Sequence, residues 1–321
     1  GNRFESSVLA NIPIPLPRNY VMGIDFLKWE FEQNYWSFLN GEWKPGAWRN
    51  FYLFTVLYKT PLPLLIATTL GLVVFFLRWY RGVLAPELVS LVLLLGIPAI
   101  ICFVTVSSQC GFSHHHRYVI MINPLFFLLS TLPVSPILKP QLKSPLTQGN
   151  KSRVLENGAI GSLQNHGTKL FAVLLVLCCI VSCLRIHPHY LSYFNIIAGG
   201  PENGWRVLGS SCVDRGEDIL RVKEWIDQHP ECRPLSFQMD YLQTGGELFD
   251  LPRRSPPTLR KGESYRLVQT NETQWWIVSV KRLYNKQDQP GLEYLQERVP
   301  VDKIGYSYHV YKIDGKEQLS R

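Results

Sequence analysis

Apolar positions collect in long uninterrupted runs in the middle of the chain and thin out toward both ends. A bilayer core about 30 Å thick is crossed by roughly 20 mostly apolar helical residues. The runs Pro61–Tyr80, Leu88–Ser107 and Tyr118–Ile137 reach that length. A fourth, Leu170–Leu184, is built from Leu, Val and Cys without a charge and becomes a span over 169–186 once its flanks join it. Pro61 and Pro63 open the first run, where a missing N–H costs little, whereas Pro98 and Pro124 fall inside the second and third and predict kinks there. Four such runs seldom occur together in a soluble core, so the pattern predicts a membrane protein.

Outside these runs the pattern changes. Over Tyr20–Leu39 the apolar and aromatic residues Met22, Phe26, Leu27, Phe31, Tyr35 and Phe38 recur at spacings of three and four, which predicts an amphipathic helix ended by Asn40-Gly41. Trp29 and Trp36 suit such a helix to the membrane interface, and packing on the C-terminal part is the alternative. Trp48–Tyr58 is apolar but too short to span, and it leads into Lys59-Thr60-Pro61. Residues 135–167, rich in Pro, Ser, Gly, Asn and Gln, read as a flexible connector. Beyond Arg185 a helical pattern over Asp214–His229 and strand patterns over Pro234–Tyr241, Tyr265–Gln269, Trp275–Lys281 and Gly305–Ile313 predict a small mixed sheet. The expected architecture is an α-helical membrane domain of four spans (61–185), preceded by a juxtamembrane segment (1–60) and followed by a small mixed α/β domain (186–321).

Charge orients this arrangement. Lys and Arg against Asp and Glu number 6 to 5 over residues 1–60, 9 to 2 over 61–185 and 18 to 18 over 186–321, so the surplus sits beside the apolar runs. That argues against a nucleic-acid binder, which gathers its cations on a solvated face. Arg78 and Arg81 flank one turn, and Lys139, Lys143, Lys151, Arg153 and Lys169 crowd the loop 138–168, whereas Ser108–Arg117 carries a single arginine. The positive-inside tendency therefore puts the two basic loops in the cytoplasm. Residues 1–60, the loop Ser108–Arg117 and everything after Arg185 then share the extracytoplasmic side of a multi-pass protein of the plasma (inner) membrane. Seven cysteines are too sparse for a disulfide framework. Cys212 and Cys232 could pair on the oxidising side. The chain starts at Gly1 without a signal pattern and reads as a fragment.

The candidate chemistry lies at the outer ends of the spans. Lys59 and Arg117 could converge on a phosphate, which arginine grips bidentately, with snorkelling to the interface as the plainer reading. His114-His115-His116 cannot all face one ion, which argues against a metal site. Gly199-Gly200 allows a tight turn or an anion nest. Asp214 and Asp218 precede a helix, an ordinary capping placement, and a catalytic acid-base pair is the sharper alternative. No Ser/His/Asp order, phosphate loop or dinucleotide fingerprint is present.

Several phrases in order resemble one family. They are Lys59-Thr60-Pro61-Leu62-Pro63, Arg117-Tyr118 with Pro124 after it, and Pro188-His189-Tyr190-Leu191-Ser192-Tyr193-Phe194-Asn195 followed by Ala198-Gly199-Gly200-Pro201. Ser211, Asp214, Gly216 and Asp218 continue the series, which ends in Ile304-Gly305-Tyr306-Ser307-Tyr308-His309-Val310-Tyr311. The series is similar to the polyprenyl-phosphate-sugar-dependent membrane glycosyltransferases of the dolichyl-phosphate-mannose protein mannosyltransferase type (glycosyltransferase family 39), whose fold is called GT-C. The resemblance implies the C-terminal part of such an enzyme, a truncated GT-C membrane domain. Its donor substrate would be a polyprenyl-phosphate sugar, a divalent metal is allowed, and its acceptor would be a hydroxyl of a glycan, lipid or protein. The family's general base, an aspartate in the first outward loop, would lie before Gly1. Lys59, Arg117, His116 and Tyr118 would hold the lipid phosphate, with Asp214 and Asp218 as secondary candidates. Met121 and Asn123 depart from the family pattern, as do Cys212, Arg215 and Glu217.

The leading expectation is thus a transferase moving a sugar to a hydroxyl on the extracytoplasmic side. The alternative is a non-catalytic membrane anchor presenting its α/β domain for binding. A transporter is disfavoured because the spans hold almost no polar residues to line a path.

Overall fold

The computed structural model describes residues 15–82, 84–133, 151–239, 251, 255–256, 272–284, 292–296 and 298–314. Its first helix, α1 (Arg18–Phe31), is shorter than the predicted 20–39 and buries none of its residues. The chain then turns through a hairpin of β1 (Trp36–Leu39) and β2 (Glu42–Pro45), with Leu39 opposite Glu42. Asn40-Gly41 is therefore a two-residue hairpin turn and not a helix stop. Its φ angles of 50° and 87° are the left-handed pair that such a turn requires, and Asn-Gly supplies them at least cost. The helix gives out at Phe31, where the Phe31 carbonyl accepts the N–H of Gly111 at 2.5 Å.

Next comes α2 (Phe51–Lys59), which buries Phe51, Tyr52, Thr55, Val56 and Tyr58. It stops because Pro61 forces the preceding Thr60 into an extended conformation, with ψ of 135°. Two long apolar helices follow, α3 (Leu62–Tyr80) and α4 (Pro86–Gln109), each with proline in its first turn. The expected third span takes a different form. Residues His116–Ile122 make a 3₁₀ helix, and α5 runs only from Asn123 to Thr131. Pro124 opens α5, where its missing N–H is not needed, instead of kinking a longer helix, whereas α4 runs through Pro98 in its interior. Residues 134–137 lie outside the described residues.

The last long helix, α6 (Lys151–Ile186), extends back into the expected connector, whose residues 135–150 lie outside the described residues. No proline intervenes between Pro145 and Pro188, so nothing in the covalent chain stops the helix of the apolar segment from continuing toward Lys151. Among the described residues, three helical segments are long and apolar enough to cross a membrane: Leu62–Tyr80, Pro86–Gln109 and Lys169–Ile186. They leave large apolar side chains exposed, among them Val73, Phe76, Leu94, Ile100, Val176 and Val181, as expected of surfaces that face lipid. The protein is membrane-associated.

After Ile186 short 3₁₀ turns lead to α7 (Ile219–Gln228), which buries Ile219, Val222 and Ile226 at spacings of three and four. It packs on a four-stranded sheet ordered β3-β4-β6-β5, from β3 (Leu235–Gln238), β4 (Gln274–Ser279), β5 (Asp302–Ile304) and β6 (Tyr308–Ile313). The β3–β4 pair is parallel and the others antiparallel, as expected of a mixed sheet. The predicted strand Tyr265–Gln269 lies outside the described residues. Cys212 and Cys232 are free thiols, which corrects the pairing considered from sequence.

A buried core, separate from the two that hold α7 and the sheet, joins several segments outside the long helices. Leu39, Phe51, Tyr52, Val119, Phe194, Trp205, Leu208, Cys212 and Val280 belong to a single cluster, so the N-terminal segment, the loop after α4 and the chain after α6 pack together at one end of the helices. Asn195 fastens this arrangement: its side-chain amide donates to the Leu57 and Thr60 carbonyls at 2.5 and 2.9 Å, covering acceptors that the end of α2 would otherwise leave unpaired. Gly199 and Gly200, with φ of 82° and 72°, complete a structural turn whose N–H groups bond back to Ile196 and Asn195 instead of forming an anion nest.

Helix α3 meets α5 at Gly71, where a Cβ would overlap the Leu129 carbonyl. Gly71→Ala is therefore expected to destabilise the protein by ~1–3 kcal/mol through overpacking. Gly23→Ala, in open space, should not. Thermal unfolding of both variants in detergent checks this.

Candidate functional site

Lys59, the last residue of α2, turns its ammonium into the joint between the chain after α6 and the 3₁₀ turn Ser210–Cys212. It donates to the Leu191 carbonyl at 2.7 Å and to the Cys212 carbonyl, and it lies 3.6 Å from the centre of the Phe194 ring. The negative end of the α2 dipole favours a cation at this place. Desolvation works against the charge and brings the Lys59 pKa down to about 7, opposed only in part by the nearby Cys212 thiol.

The loop after α4 supplies the other wall. Its Ser113 is buried between the hairpin and the start of α2: the Ser113 N–H donates to the Ser37 hydroxyl at 2.7 Å, and the Trp48 N–H donates to the Ser113 hydroxyl at 2.8 Å. That bracing sets the three histidines apart. His114 Nε2 meets the Trp36 carbonyl at 2.7 Å. His115 Nδ1 meets both the Ser211 hydroxyl and Arg215 Nη2, the latter at 2.8 Å. His116 Nδ1 is buried with no hydrogen-bond partner among the described residues. The three imidazoles thus point to three surroundings, and the described residues contain no cluster of three or more His, Cys, Asp or Glu that could hold a metal.

Both inner histidines are neutral near pH 7. Burial first, then Arg215 and Arg117, bring His115 down to about 3. Burial and then Lys59 bring His116 down to about 4. His116 therefore offers a ring nitrogen and not a charge, while Arg117 is the exposed cation of the site and Lys59, with a pKa of about 7, is protonated only in part at neutral pH.

The remaining expected residues separate into two groups. Arg117 is exposed, with its guanidinium 5.5 Å from the centre of the Tyr118 ring. Tyr118 in turn packs edge-on against His115 and Phe31. Lys59 and His116 interact electrostatically, and Arg117 acts on His115, so the structure draws these residues into one neighbourhood around the end of α2.

Asp214 is buried, accepts the Gly216 N–H at 2.8 Å, and is raised well above the ordinary carboxyl range by burial and then by the Glu217 carboxylate. Asp218 does precede α7, but its carboxylate makes no cap bond to that helix, which corrects the capping reading. Instead it pairs with His189 Nδ1 at 2.8 Å. Sequence reasoning named His189 only as part of a phrase. It missed Leu191 and Cys212, which act through backbone carbonyls that carry no residue signature, and Ser307, whose hydroxyl meets Asp218 across 89 positions of sequence.

Compared with known proteins, the chain matches no protein-family model, no curated protein and no solved structure.

The depressed Lys59 pKa has a consequence for stability. Between about 7 when folded and 10.5 in an ordinary environment, unfolding takes up a proton, so stability rises with pH across that window. From pH 7 to about 9, wild type is expected to gain stability relative to Lys59→Met, measured as the difference in denaturant midpoints. A pH-independent difference would show that the ammonium is not desolvated.

Proposed function

We propose that this chain is the lipid-phosphate-binding part of a membrane glycosyltransferase that moves a sugar from a polyprenyl phosphate to a hydroxyl on the extracytoplasmic side. One observation carries the reading: a desolvated lysine, an unpartnered buried imidazole nitrogen and an exposed arginine gather where the apolar helices end. A lipid-linked phosphate has its charge at that depth and its chain alongside the helices. Lys59 and Arg117 would neutralise the phosphate as it leaves the sugar, when its charge grows, and that is where a fixed cation accelerates transfer. His116 would add a hydrogen bond and Tyr118 a hydroxyl. The order of sequence phrases from Lys59 to Tyr311 supports the same class and the GT-C type of fold.

The direct test is incubation of membranes containing the complete protein with a radiolabelled polyprenyl-phosphate sugar, followed by location of the label. Arg117→Ala is expected to lower transfer about 10–100-fold, the worth of one charge-assisted hydrogen bond, with the folded amount unchanged. Equal loss of transfer and of folded protein assigns Arg117 to folding. Absence of transfer by wild type with every donor sugar favours the anchor reading.

The reading also requires that the packed segments lie on one side of the bilayer. Glu42→Cys and Glu224→Cys, both at exposed positions, should react with a membrane-impermeant maleimide from the same side of sealed vesicles. Labelling from opposite sides removes the basis of the proposed phosphate site.

A further inference from the structure

Two elements at the packed end of the helices turn apolar side chains outward, where a surface bathed in water would hide them. The first is α1, which buries none of its residues. Its apolar side chains Tyr20, Met22, Ile24, Phe26, Leu27 and Trp29 are all exposed, whereas the carboxylates Asp25 and Glu30 are half-buried. A helix on a water-facing surface shows the reverse. Lys28 is exposed as well, but its long stem lets the ammonium climb to water, and it pairs with Glu32 at 3.4 Å.

The second element is the connection after α6. Tyr190 is exposed, with its hydroxyl 2.9 Å from His187 Nδ1. In the 3₁₀ turn Ile196–Ala198, Ala198 is buried, yet Ile196 is 79% exposed and Ile197 49%. A lone exposed isoleucine is ordinary, but two adjacent ones beside an exposed tyrosine form a patch that needs a partner.

Both elements are fixed at the level where the long helices end. The carbonyl of Phe31, the last residue of α1, accepts the N–H of Gly111, two residues past the end of α4, and the Phe31 ring stands edge-on to Tyr118 at 5.3 Å. A Cβ on Gly111 would overlap the Phe31 and Gln33 carbonyls, so glycine is what lets α1 end this close to α4. On the other side, the Asn195 N–H donates to the Tyr58 carbonyl at 2.9 Å and its amide reaches the Thr60 carbonyl, just before α3 begins at Leu62. Ile196 follows directly. The two apolar elements therefore continue the exposed apolar surfaces of the long helices at their packed end.

Charge narrows the kind of lipid surface. Arg18–Glu32 holds two cations against three carboxylates, and Ile196–Pro201 holds no charge. Such elements enter a membrane by burying apolar area, without attraction to anionic headgroups.

We propose that α1 and the turn Ile196–Ala198 dip into one leaflet of the bilayer, so that the packed end rests on the lipid surface besides being held by its spans. Helix α1 then lies in the plane of the interface, where Tyr20 and Trp29 keep their rings in lipid and their polar edges toward water. Packing of α1 on the C-terminal part, the other placement open from sequence, leaves its fully exposed length unexplained. This inference concerns the membrane alone and does not depend on sugar transfer.

The test uses the full chain in phosphatidylcholine nanodiscs, whose two faces are both open to solutes. Emission of Trp29 is read as the difference between wild type and Trp29→Phe, and the turn is read from the emission that Ile196→Trp adds, with Ile197→Trp as a second reporter. An interfacial side chain lies about 5–10 Å into the headgroup boundary, so lipid brominated near the headgroup is expected to quench each indole about twofold more than lipid brominated near the chain end. Iodide in the water should quench neither. Quenching by iodide and not by brominated lipid shows a water-facing surface and overturns the proposal. Quenching by neither shows that protein covers the residue, whether a second copy or another segment, and overturns it as well. Stronger quenching from the chain end places the segment in the hydrocarbon core and rules out the interface.

Discussion

The arrangement outside the long helices depends on where one ammonium goes. Taking a charge out of water costs several kcal/mol unless its surroundings replace the lost hydration. For Lys59 the replacement, incomplete enough to leave its pKa at about 7, comes from two later places in the chain, the Leu191 carbonyl beyond α6 and the Cys212 carbonyl. The Phe194 ring covers a further side. None of these lies on the same element, so satisfying the lysine fixes the end of α2 against two later turns. Asn195 then ties the same stretch to the last carbonyls of α2, which adds a second set of hydrogen bonds to the join. The His116 ring beside this charge stays neutral for the same reason, being buried and next to a cation.

What could be read from sequence follows from how each feature is encoded. The long helices α3, α4 and the apolar part of α6 are written directly as uncharged runs, and the length of each run is the signal. The run after Arg117 has the same composition but becomes a 3₁₀ helix and the short α5, and an internal proline does not by itself tell the two outcomes apart, since α4 continues through Pro98. The hairpin carried a legible signal that the helical reading overrode. Asn40-Gly41 stands between two short aromatic-bearing stretches, and the three- and four-residue spacing is helical only up to Phe31. Beyond Ile186, α7 and three of the four described strands follow their alternation. The strand β5 is only three residues long, too short for a period to register.

The candidate site was legible in its charges and not in its contacts. Lys59 and Arg117 stand out as cations at the ends of apolar runs. That Lys59 is held by main-chain oxygens, and that His115 faces Ser211 and Arg215 nearly a hundred positions away, follows only from the fold. The three histidines show the same limit from the other direction. Adjacent in sequence, they look like one cluster, yet a backbone bonded through Ser113 sends His114 and His115 to different partners and leaves His116 Nδ1 with none among the described residues.

Asp218 is where local and tertiary preferences conflict most clearly. Forgoing an N-cap bond costs a helix about 1 kcal/mol, and α7 is short enough for that to matter. The loss must be offset where the carboxylate is used instead, and charge-assisted bonds to an imidazole and a hydroxyl are about twice as strong as neutral ones. The balance therefore favours the tertiary partners, provided that the backbone comes close enough to bring Ser307 in. Only glycine at position 305 permits that approach. A capping residue withdrawn from its helix, a glycine cleared for its carboxylate and a histidine paired with it agree with one another better than they agree with a helix end.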